Sequence, residues 1–284
     1  MKGVLITNRY LFSEKFDVLK NGFLNASNDL NISLDYMDNF SAYDLVEKKL
    51  MYDFVLFYDK DIKLALLLEN RGYRLFNKSS AIKICDDKFL TYIKLKNIIR
   101  QPLTMQSPFL YYDDLSNDSD FINKCENNFK YPMILKETSG SFGQQVYKIN
   151  NKDELCRLIK NIGVKSFIVQ EYIKETFGRD LRIQVVGNKV VAAIQRINKN
   201  GDFRANITNG GKAYLYNTND LQNKMAIEAL KLVGADFAGV DILFGKNDEP
   251  ILCEINSNAH IENISRICNI NIYKEILKYI VNNV

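Results

Sequence analysis

The chain has no tryptophan, four prolines and one histidine, His260, among 284 residues. Its five cysteines, Cys85, Cys125, Cys156, Cys253 and Cys268, are odd in number and widely spaced, with no CxxC pair. That argues against a disulfide framework or a zinc site, and reads as reduced thiols of a cytoplasmic protein. No stretch of 18 apolar residues occurs, so no membrane-spanning helix is expected. The apolar run after Lys2, Val4-Leu5-Ile6, is too short for a secretory signal. Charge of one sign is not in excess: 38 basic against 34 acidic residues give a net +4. A nucleic-acid protein of this size usually carries a stronger basic bias, so nucleic acid is not an expected partner. No GxGxxG follows the first strand and no GxxxxGK[ST] occurs anywhere, which removes the usual dinucleotide fingerprint and the P-loop. Internal repeats and low-complexity tracts are missing too.

What is present is an ordinary globular composition, 46% apolar and 25% charged, long enough for two or three units. Residues 1–84 read as strands alternating with helices: strands at 2–7, 32–37, 53–57 and 73–76, and a helix from a Ser13 cap with Phe16, Leu19, Phe23 and Leu24 on one stripe. That order implies a parallel sheet with helices on both faces. A long helical pattern runs over 79–99 and ends before Pro102. A second unit, 85–166, holds strands at 133–137 and 146–149 joined by a Gly/Ser loop, then a helix at 152–161. A third, 167–284, is mostly strands, at 167–173, 181–186, 190–197, 238–244 and 251–255, with helices near 221–233 and 273–281. The fold class is α/β followed by α+β, with an antiparallel sheet in the last unit.

Three features carry chemistry. The loop Thr138-Ser139-Gly140-Ser141-Phe142-Gly143 follows Lys136 at the end of a strand. Glycines let several backbone N–H groups turn toward one anion, and the lysine adds a fixed charge; a plain flexible hairpin is the alternative. Lys88, on the long helix, reads by itself as a solvated surface lysine. Near the C-terminus, Asp241 sits in one apolar strand and Glu254 and Asn256 in the next. Strand period two puts Glu254 and Asn256 on one side, and the short loop 245–250 brings Asp241 opposite them. Two carboxylates and an amide suit Mg²⁺ (or Mn²⁺). Alternatively they are exposed positions on a sheet, although carboxylates set in Val/Ile/Leu/Cys runs call for a cation. Arg182, Arg179, Lys189 and Lys199 read in part as a solvated face, and Tyr10, Phe12, Tyr111 and Tyr112 as loop aromatics able to line a cleft.

Taken in order, these stretches resemble the ATP-grasp superfamily, and within it the RimK-type and LysX-type ligases. The stretches are Asp87-Lys88, 132–136 with the loop 140–143, Gln170-Glu171-Tyr172-Ile173, Gly178-Arg179-Asp180-Leu181-Arg182, 190–196, 201–206, Gly210-Gly211, 239–243 and Glu254-Ile255-Asn256. The resemblance covers about residues 85–284. It implies an N-terminal α/β pre-ATP-grasp domain, a central lid subdomain and a C-terminal subdomain. Lys88, Lys136 and the loop residues Ser141 and Gly143 would contact ATP phosphates, and Gln170, Glu171, Tyr172 and Ile173 would edge the adenine pocket. Asp180 would face the ribose, Arg204 and Asn206 the γ-phosphate, and Arg196 an acyl phosphate or a substrate carboxylate. Asp241, Glu254 and Asn256 would hold Mg²⁺. The implied reaction joins a carboxylate to an amine, the latter resembling an amino acid and the former small or part of a peptide or protein, through an acyl phosphate with release of ADP. Homodimers or homotetramers are common among such proteins. An ATP-grasp kinase and a non-catalytic ATP-binding module are the alternatives. The chain departs from the family at Ala259-His260, where Pro-Gly is usual. This is either a tolerated turn change or a sign that His260 meets the substrate and takes a proton from the attacking amine.

Overall fold

The computed structural model describes residues 1–11, 14–48, 51–112, 114–140, 145–206 and 210–284. Four strands, β1 (Lys2–Thr7), β2 (Ser33–Asp38), β3 (Phe54–Tyr58) and β4 (Leu75–Phe76), form a wholly parallel sheet in the order β2-β1-β3-β4. Both faces of its central strands are covered, which is why they are apolar without alternation. Val4, Ile6, Val55 and Phe57 pack under α2 (Tyr43–Glu47) and α3 (Ile62–Asn70). Leu5, Leu56 and Tyr58 pack on the other side against α1 (Glu14–Asp29). The parallel sheet with helices on both faces is as the alternating pattern implies; the Ser13 cap lies outside the described residues.

The helical pattern of 79–99 is not one helix. It breaks at Asp87 into α4 (Ser79–Asp86) and α5 (Lys88–Leu95). Asp87 adopts an extended conformation and its carboxylate accepts the amide hydrogens of Phe89 and Leu90, an N-cap that starts α5 afresh. The apolar period continues through the break, so periodicity alone hides it. Lys88 thereby becomes the first residue of a helix.

The central sheet contains β5 (Thr104–Gln106), β6 (Met133–Glu137), β7 (Val146–Ile149) and β8 (Phe167–Glu171) in the antiparallel order β5-β8-β6-β7. The strand starting at Phe167, expected at the head of the third unit, instead completes this sheet by pairing with β6. Helices α6 (Ser119–Asn128) and α7 (Lys152–Ile162) bury Phe121, Cys125, Leu155 and Ile159 against Leu135 and Val169.

The third sheet is antiparallel throughout. It is built from β9 (Arg179–Val186), β10 (Lys189–Ile197), β11 (Lys212–Leu215), β12 (Phe237–Phe244) and β13 (Pro250–Asn256), in the order β11-β10-β9-β12-β13. On one face Leu181, Ile183, Val185 and Val240 pack on α8 (Asp220–Val233). A capping box between Asn219 and Gln222 starts α8, and Gly234, at φ 74°, ends it. The other face changes character along its length. At one end Val186, Ala192, Ile194 and Phe237 join the same apolar cluster as α1 and β3, together with α9 (Glu262–Cys268) and α10 (Ile272–Val281). At the other end the same face is ionic. No helix among the described residues is long and apolar enough to cross a membrane.

Gln184 stands between the two ends, 1% exposed, and neither atom of its amide has a hydrogen-bond partner among the described residues. A buried unpaired polar group costs about 1–3 kcal/mol. Gln184→Leu is therefore expected to raise the melting temperature, by about 2–4 °C for each kcal/mol recovered. A thermal melt by circular dichroism checks this, and an unchanged or lowered melting point would show that the amide is satisfied in solution.

Candidate active site

One cleft lies between the central and third sheets, and its walls are contributed by every unit of the chain. Its floor is the ionic end of the third sheet. Asp180 on β9 stands directly opposite Arg196 on β10, and Arg182 on β9 directly opposite Asp241 on β12. Arg196 Nε and Nη2 donate to the two Asp180 oxygens at 2.6 and 2.7 Å, and Nη2 also reaches Asp241 Oδ2 at 2.9 Å. Arg182 Nε donates to Asp241 Oδ1, and Nη2 to Oδ2 at 2.8 Å. All four side chains are nearly buried, 4–13% exposed. Two guanidinium and two carboxylate charges balance. Burial pushes the Asp241 carboxyl up, but the charges of Arg182 and Arg196 overcome this and hold it well below the usual carboxylate range. In Asp180 burial prevails over the attraction of Arg196 and its pKa rises.

Arg182, read from the sequence as part of a solvated face, is thus a core residue of the site. The polar alternation Asp180, Arg182, Gln184 was visible; its register against Asp241 was not. Asp180, expected at the ribose, and Arg196, expected at an acyl phosphate, line the cleft, but Arg196 donates its hydrogen bonds to Asp180 and Asp241.

The edge strand β13 carries the oxygen donors. Asp241 pairs with Glu254, but Ile242 pairs with Leu252, so Cys253 is an extra residue, a β-bulge. The bulge turns Cys253 and Glu254 both toward the cleft, where period two alone would alternate them. Cys253 Sγ lies 3.9 Å from Lys136 Nζ. Burial pushes the Cys253 thiol up to about 11, so it stands as a neutral thiol. The Glu254 side chain makes no hydrogen bond and no ion pair among the described residues. Asn256 Oδ1 accepts one hydrogen bond, from the Asn258 amide at 3.1 Å.

These donors fit a hard divalent cation. Glu254 is uncommitted, Asn256 keeps a lone pair, and Asp241 Oδ1 accepts a single hydrogen bond. Among the described residues no three His, Cys, Asp or Glu side chains cluster, so a third side-chain donor here would be the Asn256 amide.

Facing this wall are two lysines. Lys88 Nζ lies 3.3 Å from the carbonyl of Thr138 and 3.4 Å from that of Gly140, long contacts for an ammonium. Burial lowers its pKa against the attraction of Glu254. Lys136 reaches in from the end of β6. Ser141 and Gly143 lie outside the described residues. At the far end, Gln170, Glu171, Tyr172 and Ile173 line the cleft as expected. The side chains of the first two are turned away: Gln170 donates to Thr104 Oγ1 at 2.7 Å, and Glu171 accepts the Leu103 amide at 2.9 Å. What they present to the cleft is therefore backbone. Lys148 Nζ stands 4.7 Å above the Tyr172 ring. Arg204 and Asn206 also line the cleft, with Arg204 paired to Asp202 at 2.8 Å.

His260 is not brought to the cleft. Its ring packs edge-on against Phe16 of α1, with centroids 4.9 Å apart, and the preceding Ala259 carbonyl accepts the Tyr58 hydroxyl at 2.5 Å. The Ala259-His260 turn thus docks on the first unit. Tyr10, Tyr111 and Tyr112 are 67–89% exposed and do not line the cleft; Phe12 lies outside the described residues. Sequence reasoning passed over Lys60, Cys85 and Asp86, which do line it.

Gly239, the cross-strand neighbour of Gln184, leaves no room for a side chain. A Cβ there would lie 2.7 Å from the Ala259 Cβ and 3.0 Å from Arg182 Cδ. Gly239→Ala should push Arg182 off Asp241 and destabilise the fold by about 1–3 kcal/mol. A thermal melt and an ADP-release assay measure it; wild-type values in both would mean that the turn yields freely.

Comparison with known proteins places this geometry. A family model described as a RimK-like ATP-grasp domain matches residues 85–280. Uncharacterized protein MG012 of Mycoplasma genitalium is 32% identical over 267 residues, covering 90% of this chain and 91% of that protein. A probable alpha-L-glutamate ligase of Legionella pneumophila is 34% identical over 218 residues, covering 75% and 68%. Among solved structures, the D-alanine–D-alanine ligase of Bacillus anthracis complexed with ATP superposes with a TM-score of 0.77 at 18% identity, over 99% of this chain and 96% of that one. The chain belongs to the RimK-like ATP-grasp family.

Proposed function

We propose that the protein is an ATP-dependent ligase that joins a carboxylate to an amine through an acyl phosphate, releasing ADP and phosphate. The observation that carries this is the meeting in one cleft of two lysines, Lys88 and Lys136, with a wall of oxygen donors, Asp241, Glu254 and Asn256, of which Glu254 is uncommitted among the described residues. Anionic phosphates need positive charge around them; the two lysines offer it on one side, and Asp241, Glu254 and Asn256 would hold a metal on the other. Family membership and the ATP-bound structural neighbour support the same reading.

In this reading the backbone of residues 171–173 edges the adenine. Lys88 and Lys136 carry the phosphate charge, joined by Arg204 and Asn206. Asp241, Glu254 and Asn256 would hold Mg²⁺, which supplies positive charge to the phosphate oxygens as they become more negative. Arg182 and Arg196 keep Asp241 ionised and fixed before any ligand arrives. The loop between β6 and β7 would keep water from the acyl phosphate. Because a relative is named as a probable glutamate ligase, L-glutamate is the first amine to supply.

Three measurements test this. Incubation with Mg-ATP, L-glutamate, other amino acids and small carboxylates should give ADP and a product equal in mass to two components less one water. An adduct heavier by one phosphate on a hydroxyl would instead establish a kinase. Glu254→Gln should melt within about 2 °C of the wild type while turnover falls by about 10²-fold or more; near-normal turnover would remove Glu254 from the metal site. Lys136→Ala should raise the KM for ATP by about 10- to 100-fold, the worth of one charge-assisted hydrogen bond. An unchanged KM would remove it from the phosphates.

A further inference from the structure

The loop leaving β3 brings to the cleft a cation that the assignments above do not use. In the first sheet the chain goes from β1 outward to β2, then returns across β1 to β3. The connections therefore diverge at the carboxyl ends of β1 and β3, the position at which open parallel sheets bind ligands. Asn8 follows β1, and Asp59 and Lys60 follow β3. Asn8 Nδ2 donates to both Asp59 carboxylate oxygens at 3.1 Å, and the Lys60 amide donates to the same carboxylate at 2.6 Å. Asp59 is buried. These bonds pin residues 59–60 to the end of β1.

The Lys60 side chain lines the nucleotide cleft, and its ammonium pairs with Asp86, two residues before Lys88. The positive charges of Lys60 and Lys136 are both felt at Lys88. Three lysines thus converge on one end of the cleft from three separate elements: Lys60 from the loop after β3, Lys88 from α5 and Lys136 from β6. The last two flank the space for the phosphates. Lys60 alone belongs to the wall contributed by the first unit.

We propose that Lys60 binds the substrate carboxylate that is to be phosphorylated, with Asp86 as a positioning residue that holds its ammonium. The inference rests on the ligase reading. A carboxylate brought up to a γ-phosphoryl group is an anion approaching an anion, and a cation at the point of approach offsets their repulsion. One carboxylate oxygen then bonds to the γ-phosphorus as the bond from that phosphorus to the ADP oxygen breaks. Lys60 supplies charge and orientation and keeps its proton throughout. The carboxylate enters from the side of the first unit, past Lys60.

The test uses hydroxylamine as the amine, so that any activated carboxylate is trapped as a hydroxamate. The wild-type protein, Lys60→Ala, Lys60→Arg and Asp86→Asn are assayed with Mg-ATP and a panel of the common amino acids, succinate and citrate. Stabilisation by a non-hydrolysable ATP analogue in a thermal melt serves as the folding control. For the carboxylate that the wild type activates, Lys60→Ala is expected to raise its KM at least tenfold while the KM for ATP stays within twofold. Lys60→Arg should restore part of the loss, and Asp86→Asn should shift the carboxylate KM in the same direction by less. A hydroxamate with unchanged kinetics in Lys60→Ala would overturn this inference and leave the ligase standing. A rise confined to the KM for ATP would also overturn it, making Lys60 a third phosphate cation. No hydroxamate from any member of the panel would overturn the inference together with the reading on which it rests.

Discussion

The site rests on four charges in the third sheet. Asp180, Arg182, Arg196 and Asp241 are buried together, and each bonds to a cross-strand neighbour. Taking a carboxylate and a guanidinium out of water costs several kcal/mol each, and only close geometry offsets it. A sheet optimised for stability alone would carry apolar side chains here, as the same face does at its other end. What the ionic arrangement provides is a carboxylate that is ionised and fixed in place at the inner wall of the cleft. Losing either arginine would leave Asp241 buried and undercompensated. The requirement for glycine at position 239 follows in part from it, since Arg182 and Ala259 take up that space.

Around this fixed point the mobile charges are arranged by sign. Among the described residues the Glu254 carboxylate has no hydrogen-bond or ion-pair partner, and lysines from different elements face it. Like charges held close repel, and the lowered pKa of Lys88, set chiefly by burial, includes a contribution from its two lysine neighbours. An anion between these lysines relieves that repulsion, which favours its binding.

Much of this was legible in the sequence. Strands alternating with helices gave the parallel sheet, and the short loop 245–250 between two apolar strands gave the antiparallel pair. The carboxylate and amide spacing in 254–256 pointed to one wall. What escaped has identifiable causes. A bulge adds Cys253 to the wall, and no residue type announces a bulge. The cap at Asp87 falls inside an unbroken apolar period, so two helices read as one. Arg182 shares the alternation of a solvent-facing stripe, and only strand register sets it against Asp241. His260 was singled out for being unique, yet its surroundings are set by α1, almost the whole chain away.

The cluster that unites α1, β3, α10 and one end of the third sheet bears on how the molecule is made. Leu19, Phe23 and Ala26 of α1 are buried with Ile272, Tyr273 and Ile276 of α10. Domains emerging from the ribosome generally fold in turn, from the N-terminus onward. Here the first sheet cannot cover its outer helix until the last helix has been synthesised. The nascent chain must therefore carry this apolar face of α1 uncovered until residues 272–281 have been made.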